Sequence, residues 1–409
     1  MEKPPALRRS ISLPLLTLYG LGSILGAGIY ALVGKVAAEA GIFTPLSFLI
    51  AALLAAFTGF TYAELSSRFP KTGAEAVFAQ KAFHIKPLSL LIGLLVATSA
   101  IVSSGTLSNA FVGYLQVFVD ISRPMATFLT VTAVTVIAVW GIKQSAWTAA
   151  VLTFIEVAGL IIIIWVGRNS FGDFPAQFSA AVESFENTFW VGIMVGAFLA
   201  FYAFIGFEDM VNVAEEVKNP ERNLPLAIIL AIIFTTIFYS LIALVAVLSL
   251  PLADLAATNA PLALIYERTT GSDPILITFI SLFAIVNGIM VQIIMASRIL
   301  YGLSKRGWLP DSLCYVSPKT RTPVIATVLI GLIILILALT FSLVRLAEIT
   351  SFVILTVFAL MNLGLIVIKV KDPKPKKATT FPIFIPILGF LTITAFITFR
   401  AYLFVGQYL

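Results

Sequence analysis

Long apolar runs, separated by short polar breaks rich in glycine and proline, fill this chain almost from end to end. The runs repeatedly exceed the ~18 residues that signal a membrane-crossing helix. Eleven spans are expected, over 12–34, 44–66, 87–118, 124–141, 147–167, 188–213, 224–250, 274–302, 323–343, 349–369 and 382–404. Two of the runs are interrupted. The first, Leu15 to Val33, has at its centre Gly20-Leu21-Gly22-Ser23-Ile24-Leu25-Gly26-Ala27-Gly28-Ile29-Tyr30. Glycine weakens a helix, and several together let it open. Opened backbone at membrane depth survives only against protein or a wet cavity, and in transporters such a break holds the substrate. Gly22 and Gly26 also form a GxxxG pair, so close helix packing is the competing reading. The second interruption is in Trp190 to Val213, which carries Ala203-Phe204-Ile205-Gly206-Phe207-Glu208-Asp209. Adjacent carboxylates inside an apolar span cost up to ~3 kcal/mol each and must face a cavity, a partner or broken backbone. This second break moves the balance toward transport. The interrupted spans are the first and sixth, the spacing that two five-helix repeats of inverted topology produce.

Composition narrows the class. A chain of 409 residues with 60% hydrophobic content and 11% charge is an integral membrane protein, with little left for a soluble domain. Met1–Ser10 leads directly into a full span, so no cleavable signal peptide is expected. The single cysteine, Cys314, excludes an internal disulfide and a cysteine-based metal site, and no cofactor is expected. The net charge of +6 does not point to nucleic acid. With the N-terminus placed in the cytoplasm, 20 of the 26 Lys and Arg residues fall on the inner side, as the positive-inside rule demands. Eleven spans then put the C-terminus outside. The basic linker from Lys369 to Lys377 is read as ordinary topology determination, with contact to anionic lipid as the alternative.

Four motifs in register with the spans carry a family likeness. They are Gly22-Ser23-Ile24-Leu25-Gly26-Ala27-Gly28-Ile29-Tyr30, the stretch Tyr62-Ala63-Glu64-Leu65 through Pro70 to Gly73-Ala74-Glu75, and Ile205-Gly206-Phe207-Glu208 followed by Glu215-Glu216-Val217-Lys218-Asn219-Pro220. The fourth is Ala296-Ser297-Arg298 with Arg306-Gly307-Trp308-Leu309-Pro310. Over about residues 12 to 370 the chain resembles the amino acid permease branch of the amino acid–polyamine–organocation transporters. That resemblance implies an all-α polytopic protein with a LeuT-like five-plus-five inverted repeat and broken helices 1 and 6. The first repeat would cover about 12–167 and the second about 188–370 of one transporter domain. One extra helix, about 382–404, follows, where the family usually has two. Dimer contacts made by those two helices are therefore in doubt, and monomer and homodimer both stay open.

The resemblance assigns the substrate carboxylate to the backbone around Ile24, Ala27 and Gly28, with Gly26 and Gly28 allowing close approach. Amide donors at a half-helix N-terminus suit an anion. It assigns the ammonium to carbonyls at Tyr202, Ala203 and Ile205, and offers Tyr202 as an aromatic gate. Gln292 falls where related exchangers place a pocket-lining residue, with Asn287 five positions before it. Glu208 matches a carboxylate the family keeps, and two roles are open: bracing the broken helix, or carrying a coupled proton. Glu156 departs from the family, because proton-coupled relatives often place a lysine there. It is a lone carboxylate at hydrocarbon depth, read either as the proton site or as a neutral tie between helices 5 and 1. Glu64, Glu75, Glu215, Glu216 and Glu221, beside Arg68, Lys71, Lys218 and Arg222, are expected to form an inner gate and its salt bridges, with a solvated charged rim as the competing reading.

No protease, Walker or cysteine motif is visible, and no filter-like repeat suggests a channel. The expected activity is secondary active transport of an amino acid across the plasma membrane by alternating access, coupled to protons. Exchange is the second reading, and a sodium symporter or an amino acid sensor follows behind it.

Overall fold

The computed structural model describes residues 9–25, 28–71, 74–141, 146–183, 187–373, 375 and 378–406. It is helical throughout these residues, apart from turns and one isolated bridge between Ile11 and Val217. The first apolar run forms α1 (Leu13–Leu25) and α2 (Gly28–Ala40), and Gly41 at φ +56° turns the chain into α3 (Thr44–Arg68). A short α4 (Ala74–Phe83) precedes α5 (Lys86–Leu115), α6 (Arg123–Trp140), α7 (Ala146–Gly167) and α8 (Phe174–Glu183). The sixth run splits into α9 (Asn187–Ala203) and a 3-10 helix, Phe207–Glu216. The chain continues as α10 (Pro220–Ser249), α11 (Leu252–Ala257), α12 (Pro261–Thr270), α13 (Ile275–Lys305), α14 (Val324–Thr340), α15 (Leu343–Lys371) and α16 (Phe384–Gly406). Among the described residues nine helical stretches are long and apolar enough to cross a membrane, and Leu13–Leu25 and Val324–Thr340 are shorter apolar helices. One of the nine, Gly28–Arg68, runs through the Gly41 corner and so contains both α2 and α3.

The broken elements lie at the centre. α1 rests on α7 and α10, and α2 on α9, while α3 packs along α10, α5 along α13 and α6 along α14. The outward surfaces of α6, α14 and α16 present Phe128, Val136, Leu332, Ile336 and Leu391, as lipid-facing helices do. Inside, edge-to-face rings fill the core: Tyr239 lies 5.1 Å from Phe204 and 5.8 Å from Phe48.

α16 packs on α15 and α3 beside a polar cluster of those two helices. Asn362 of α15 donates to the Thr58 hydroxyl at 3.1 Å and accepts from the Thr61 hydroxyl at 2.7 Å. Gly389 of α16 crosses there, and a Cβ on it would fall 2.5 Å from Asn362 Oδ1. At the same end, Glu64 is fully buried between Arg68, at 2.7 Å, and Lys369, at 2.7 Å. Its second oxygen also accepts from the Phe381 amide at 2.9 Å. The salt bridge expected between Glu64 and Arg68 is thus present, and Lys369 joins it. Lys369 is likewise no surface charge but a buried partner, whereas Lys374, Lys376 and Lys377 lie outside the described residues. Removing one member of a buried ion cluster strands the other. Lys369→Met is expected to lower stability by about 3 kcal/mol, the lower end for such losses because Arg68 remains; thermal unfolding of the purified protein in detergent measures it. An unchanged midpoint would show that Arg68 alone satisfies Glu64.

Candidate functional site

The break in the sixth run is built by its own sequence. α9 closes with turn bonds from the Phe204 amide to the Phe201 carbonyl, 3.0 Å, and from the Ile205 amide to the Tyr202 carbonyl, 3.3 Å. Gly206 then takes φ +130°, open to glycine and little else. The Glu208 carboxylate accepts from the Gly206 amide at 2.8 Å and so satisfies a donor that the break exposes. Glu208 and Asp209 are both buried.

The two interruptions meet. A Cβ on Gly206 would fall 2.4 Å from the Ser23 carbonyl oxygen and 3.0 Å from the Ile24 amide nitrogen. A Cβ on Gly28 would fall 2.4 Å from Ala203 Cα. Ala203 stands at the C-terminal end of α9, where carbonyls lack helical partners and the helix dipole is negative, and the Ile24 carbonyl of α1 lies close to it. Both carbonyls point at one group: the Tyr239 hydroxyl of α10 lies 2.8 Å from Ile24 O and 2.9 Å from Ala203 O. A hydroxyl has one proton to donate, so the pair of carbonyls keeps accepting capacity to spare. Tyr239 was not singled out by the sequence, although a tyrosine inside an apolar span signals a phenol with a buried partner. Tyr239→Phe leaves both carbonyls without that donor. The expected cost is about 1–3 kcal/mol, read as a lower unfolding temperature and slower uptake; wild-type values in both assays would deny the hydroxyl its bridging role.

The other expected site residues are placed as follows. Ile24, Gly28, Tyr202, Ala203 and Ile205 all lie at this junction and are buried. Gly26 and Ala27 lie outside the described residues. The Tyr202 hydroxyl meets the Ser103 hydroxyl of α5 at 2.9 Å, which ties the sixth run to the third. Gln292 is buried in α13 and does not line the cavity described below.

Glu156 reaches the junction from the side. On α7, Thr153 donates to the Leu18 carbonyl of α1 at 3.0 Å, while the Glu156 carbonyl accepts from the Tyr30 hydroxyl of α2 at 2.9 Å. One helical turn therefore touches both halves of the first run. Tyr114 extends the chain of contacts by donating to the Tyr30 carbonyl at 2.9 Å. The Glu156 carboxyl is buried; its Oε1 lies 3.4 Å from the Asn287 amide nitrogen. Its Oε2 has no hydrogen-bond partner among the described residues.

Below the junction a cavity of about 510 Å³ opens, walled by Tyr19 of α1, Glu75 of α4, Val96 of α5, Asp209 and Glu216 of the 3-10 helix, and the Val291 to Arg306 face of α13. Above the junction the bundle is covered. A Cβ on Gly34 would fall 2.5 Å from the Leu255 carbonyl, and Lys35 donates to the Ala256 and Thr258 carbonyls at 2.6 and 3.0 Å. A second cavity, about 560 Å³, lies between the start of α9 and the end of α16, apart from both breaks. Of the expected gate acids, Glu75, Glu215 and Glu216 line the cavity beside the 3-10 helix, and Glu64 and Glu221 do not. Glu75 is buried, with the Tyr62 hydroxyl 3.5 Å away, and burial pushes its carboxyl up to about 7. A carboxyl raised in the folded state favours folding below its unfolded value, and that contribution is lost as pH rises through about 7. Wild-type stability is therefore expected to fall between pH 5 and 8 more steeply than that of Glu75→Gln; parallel unfolding curves for the two proteins would contradict it.

The family model described as amino acid permease matches residues 11–408. A branched-chain amino acid permease of Bacillus subtilis is 27% identical over 400 residues, covering 92% of this chain and 84% of its own length. A vacuolar cationic amino acid transporter of Arabidopsis thaliana is 28% identical over 403 residues, covering 91% of this chain, which spans 65% of that longer protein. A methylthioribose transporter, also of Bacillus subtilis, is 27% identical over 414 residues, with 96% and 87% covered.

Proposed function

Because this chain belongs to the amino acid permease family of the amino acid–polyamine–organocation superfamily, we propose that it takes up amino acids across the plasma membrane by alternating access, coupled to inward proton movement. The observation that carries this reading is the convergence of the Ile24 and Ala203 carbonyls on one tyrosine hydroxyl. Two carbonyls at one point, one of them at the negative end of α9, suit an α-ammonium, and the family resemblance gives the carboxylate of the same molecule to the backbone around Gly28. Backbone amides around Ile24, Gly26, Ala27 and Gly28 serve the carboxylate end, and the carbonyls of Ile24, Tyr202, Ala203 and Ile205 the ammonium end. Gln292 adjusts the side-chain space from α13. Backbone contacts of this kind select an amino acid without selecting its side chain.

The pairing of α3 with α10, α5 with α13 and α6 with α14 supports the five-plus-five inverted repeat. In that scheme these are helices 2 and 7, 3 and 8, and 4 and 9, so each pair joins equivalent elements. The open cavity lies at the end carrying Arg298, Lys305 and Arg306, which the charge bias makes cytoplasmic. The conformer is thus inward-facing, with the N-terminus inside and, on eleven spans, the C-terminus outside. Glu156 carries the coupled proton, because among the described residues its buried Oε2 has no partner to hold it in one charge state. Glu208 braces the broken helix through the Gly206 amide and takes part in the same proton movement.

The test is uptake of a labelled amino acid mixture into sodium-free proteoliposomes with and without an inward proton gradient. Concentrative uptake that collapses with the gradient supports proton symport. Uptake indifferent to the gradient but dependent on internal amino acid makes the protein an exchanger, and a requirement for added sodium makes it a sodium symporter. No uptake of any amino acid overturns the proposal.

A further inference from the structure

The deep wall of the inner cavity carries two acids that the junction does not employ. Asp209 and Glu75 face it from the 3-10 helix and from α4, and they are 3% and 6% exposed. Asp209 Oδ1 has no hydrogen-bond partner among the described residues. Neither carboxylate belongs to an ion pair among those residues. The cavity also holds cations, Arg298 and Arg306, but both are exposed residues of the last turns of α13. Glu215 is exposed and Glu216 half-buried. The cavity is therefore sorted by depth, with solvated charges of both signs at the mouth and, inside, two buried acids that have no cationic partner among the described residues, Glu75 beside the Tyr62 hydroxyl and Asp209 with a free oxygen. Between them run Val96, Val291, Ile294 and Met295, an apolar wall that fits a methylene stem. A carboxylate taken out of water without a partner is costly, and the missing partner is a cation.

We propose that Asp209, with Glu75 beside it, receives the positively charged end of a cationic amino acid side chain, a guanidinium or a primary ammonium, and that this pair makes the permease selective for such substrates. The inference rests on the amino acid reading above. It gives side-chain choice to a cavity wall, whereas the α-amino and α-carboxyl groups are held by backbone at the junction. Asp209 follows the helix 6 motif, immediately after the Glu208 that the break employs. The two neighbouring acids thus divide the work: one satisfies the break, and the other faces the ligand.

The experiment compares L-arginine with L-citrulline, its uncharged isostere, by competition binding to the purified full chain. The readout is the ratio of their affinities. In the wild type arginine is expected to bind at least about tenfold tighter, the gap that ~1.4 kcal/mol of charge recognition produces. Asp209→Asn is expected to bring the ratio close to one, and Glu75→Gln to lower it part of the way. Citrulline binding as tightly as arginine to the wild type overturns the inference while leaving amino acid transport standing. An unchanged ratio in Asp209→Asn overturns it equally. Should Asp209→Asn fail to fold, the wild-type ratio and Glu75→Gln decide. Should no amino acid bind at all, the family-based reading fails separately, and agmatine alone tests the cation site. Agmatine binding that Glu75→Gln weakens supports the site, and its absence overturns it.

Discussion

Replacing Glu156 by Gln is expected to abolish proton-driven accumulation. A one-unit inward pH gradient stores about 1.36 kcal/mol per proton, which supports about tenfold accumulation for one proton per substrate. In Glu156→Gln the accumulation should fall from about tenfold to about one, because an amide of nearly the same shape has no exchangeable charge state. The substitution keeps the carbonyl that can face Asn287 and leaves the backbone contact with Tyr30 untouched. Misfolding is therefore a poor explanation for the loss. Counterflow, which needs no net proton movement, is the companion measurement. If counterflow persists while accumulation disappears, Glu156 moves the proton. If both fall in parallel, Glu156 only ties α7 to the first run. Full gradient dependence in the variant would end the proton assignment.

The second large effect is expected at Gly206. Its φ of +130° costs an alanine of the order of 1–3 kcal/mol by itself. The added Cβ would also sit 2.4 Å from the Ser23 carbonyl oxygen, and that neighbour is backbone of a helix end rather than a side chain that can turn away. Relief requires the two half-helices to part, which dismantles the point where the Ile24 and Ala203 carbonyls converge. Gly206→Ala is therefore expected to lower uptake by about a hundredfold or more, the kinetic equivalent of about 3 kcal/mol. Gly172→Ala is the control, since a Cβ there meets nothing within 4 Å. Wild-type uptake by Gly206→Ala, measured at matched protein levels, would show that the two breaks are not in close contact in the working protein.

Much of this was legible in the sequence because membranes impose simple rules. Hydrocarbon forbids unpaired backbone, so long apolar runs must be helices. Glycine clusters and paired carboxylates inside such runs are too costly to be accidental, so Gly20 to Gly28 and Gly206 to Asp209 declared themselves. The four motifs gave the family, and the family model confirmed it over residues 11–408. The sequence could not say what those features touch. Glu64 and Lys369 are 305 positions apart, and no local pattern distinguishes their buried pair from two surface charges. The role of Tyr239 depends on α10 meeting α1 and α9 at once, and the exposure of Asp209 to the cavity depends on the turn that Gly206 makes. The sequence by itself therefore determined the helical membrane class and the two interrupted runs, which follow from local chemistry against lipid, and the family, which its four motifs carry. Tertiary structure alone decided which carbonyls converge, which acid is left without a partner and which charges are buried, because those depend on distances between segments that only packing sets.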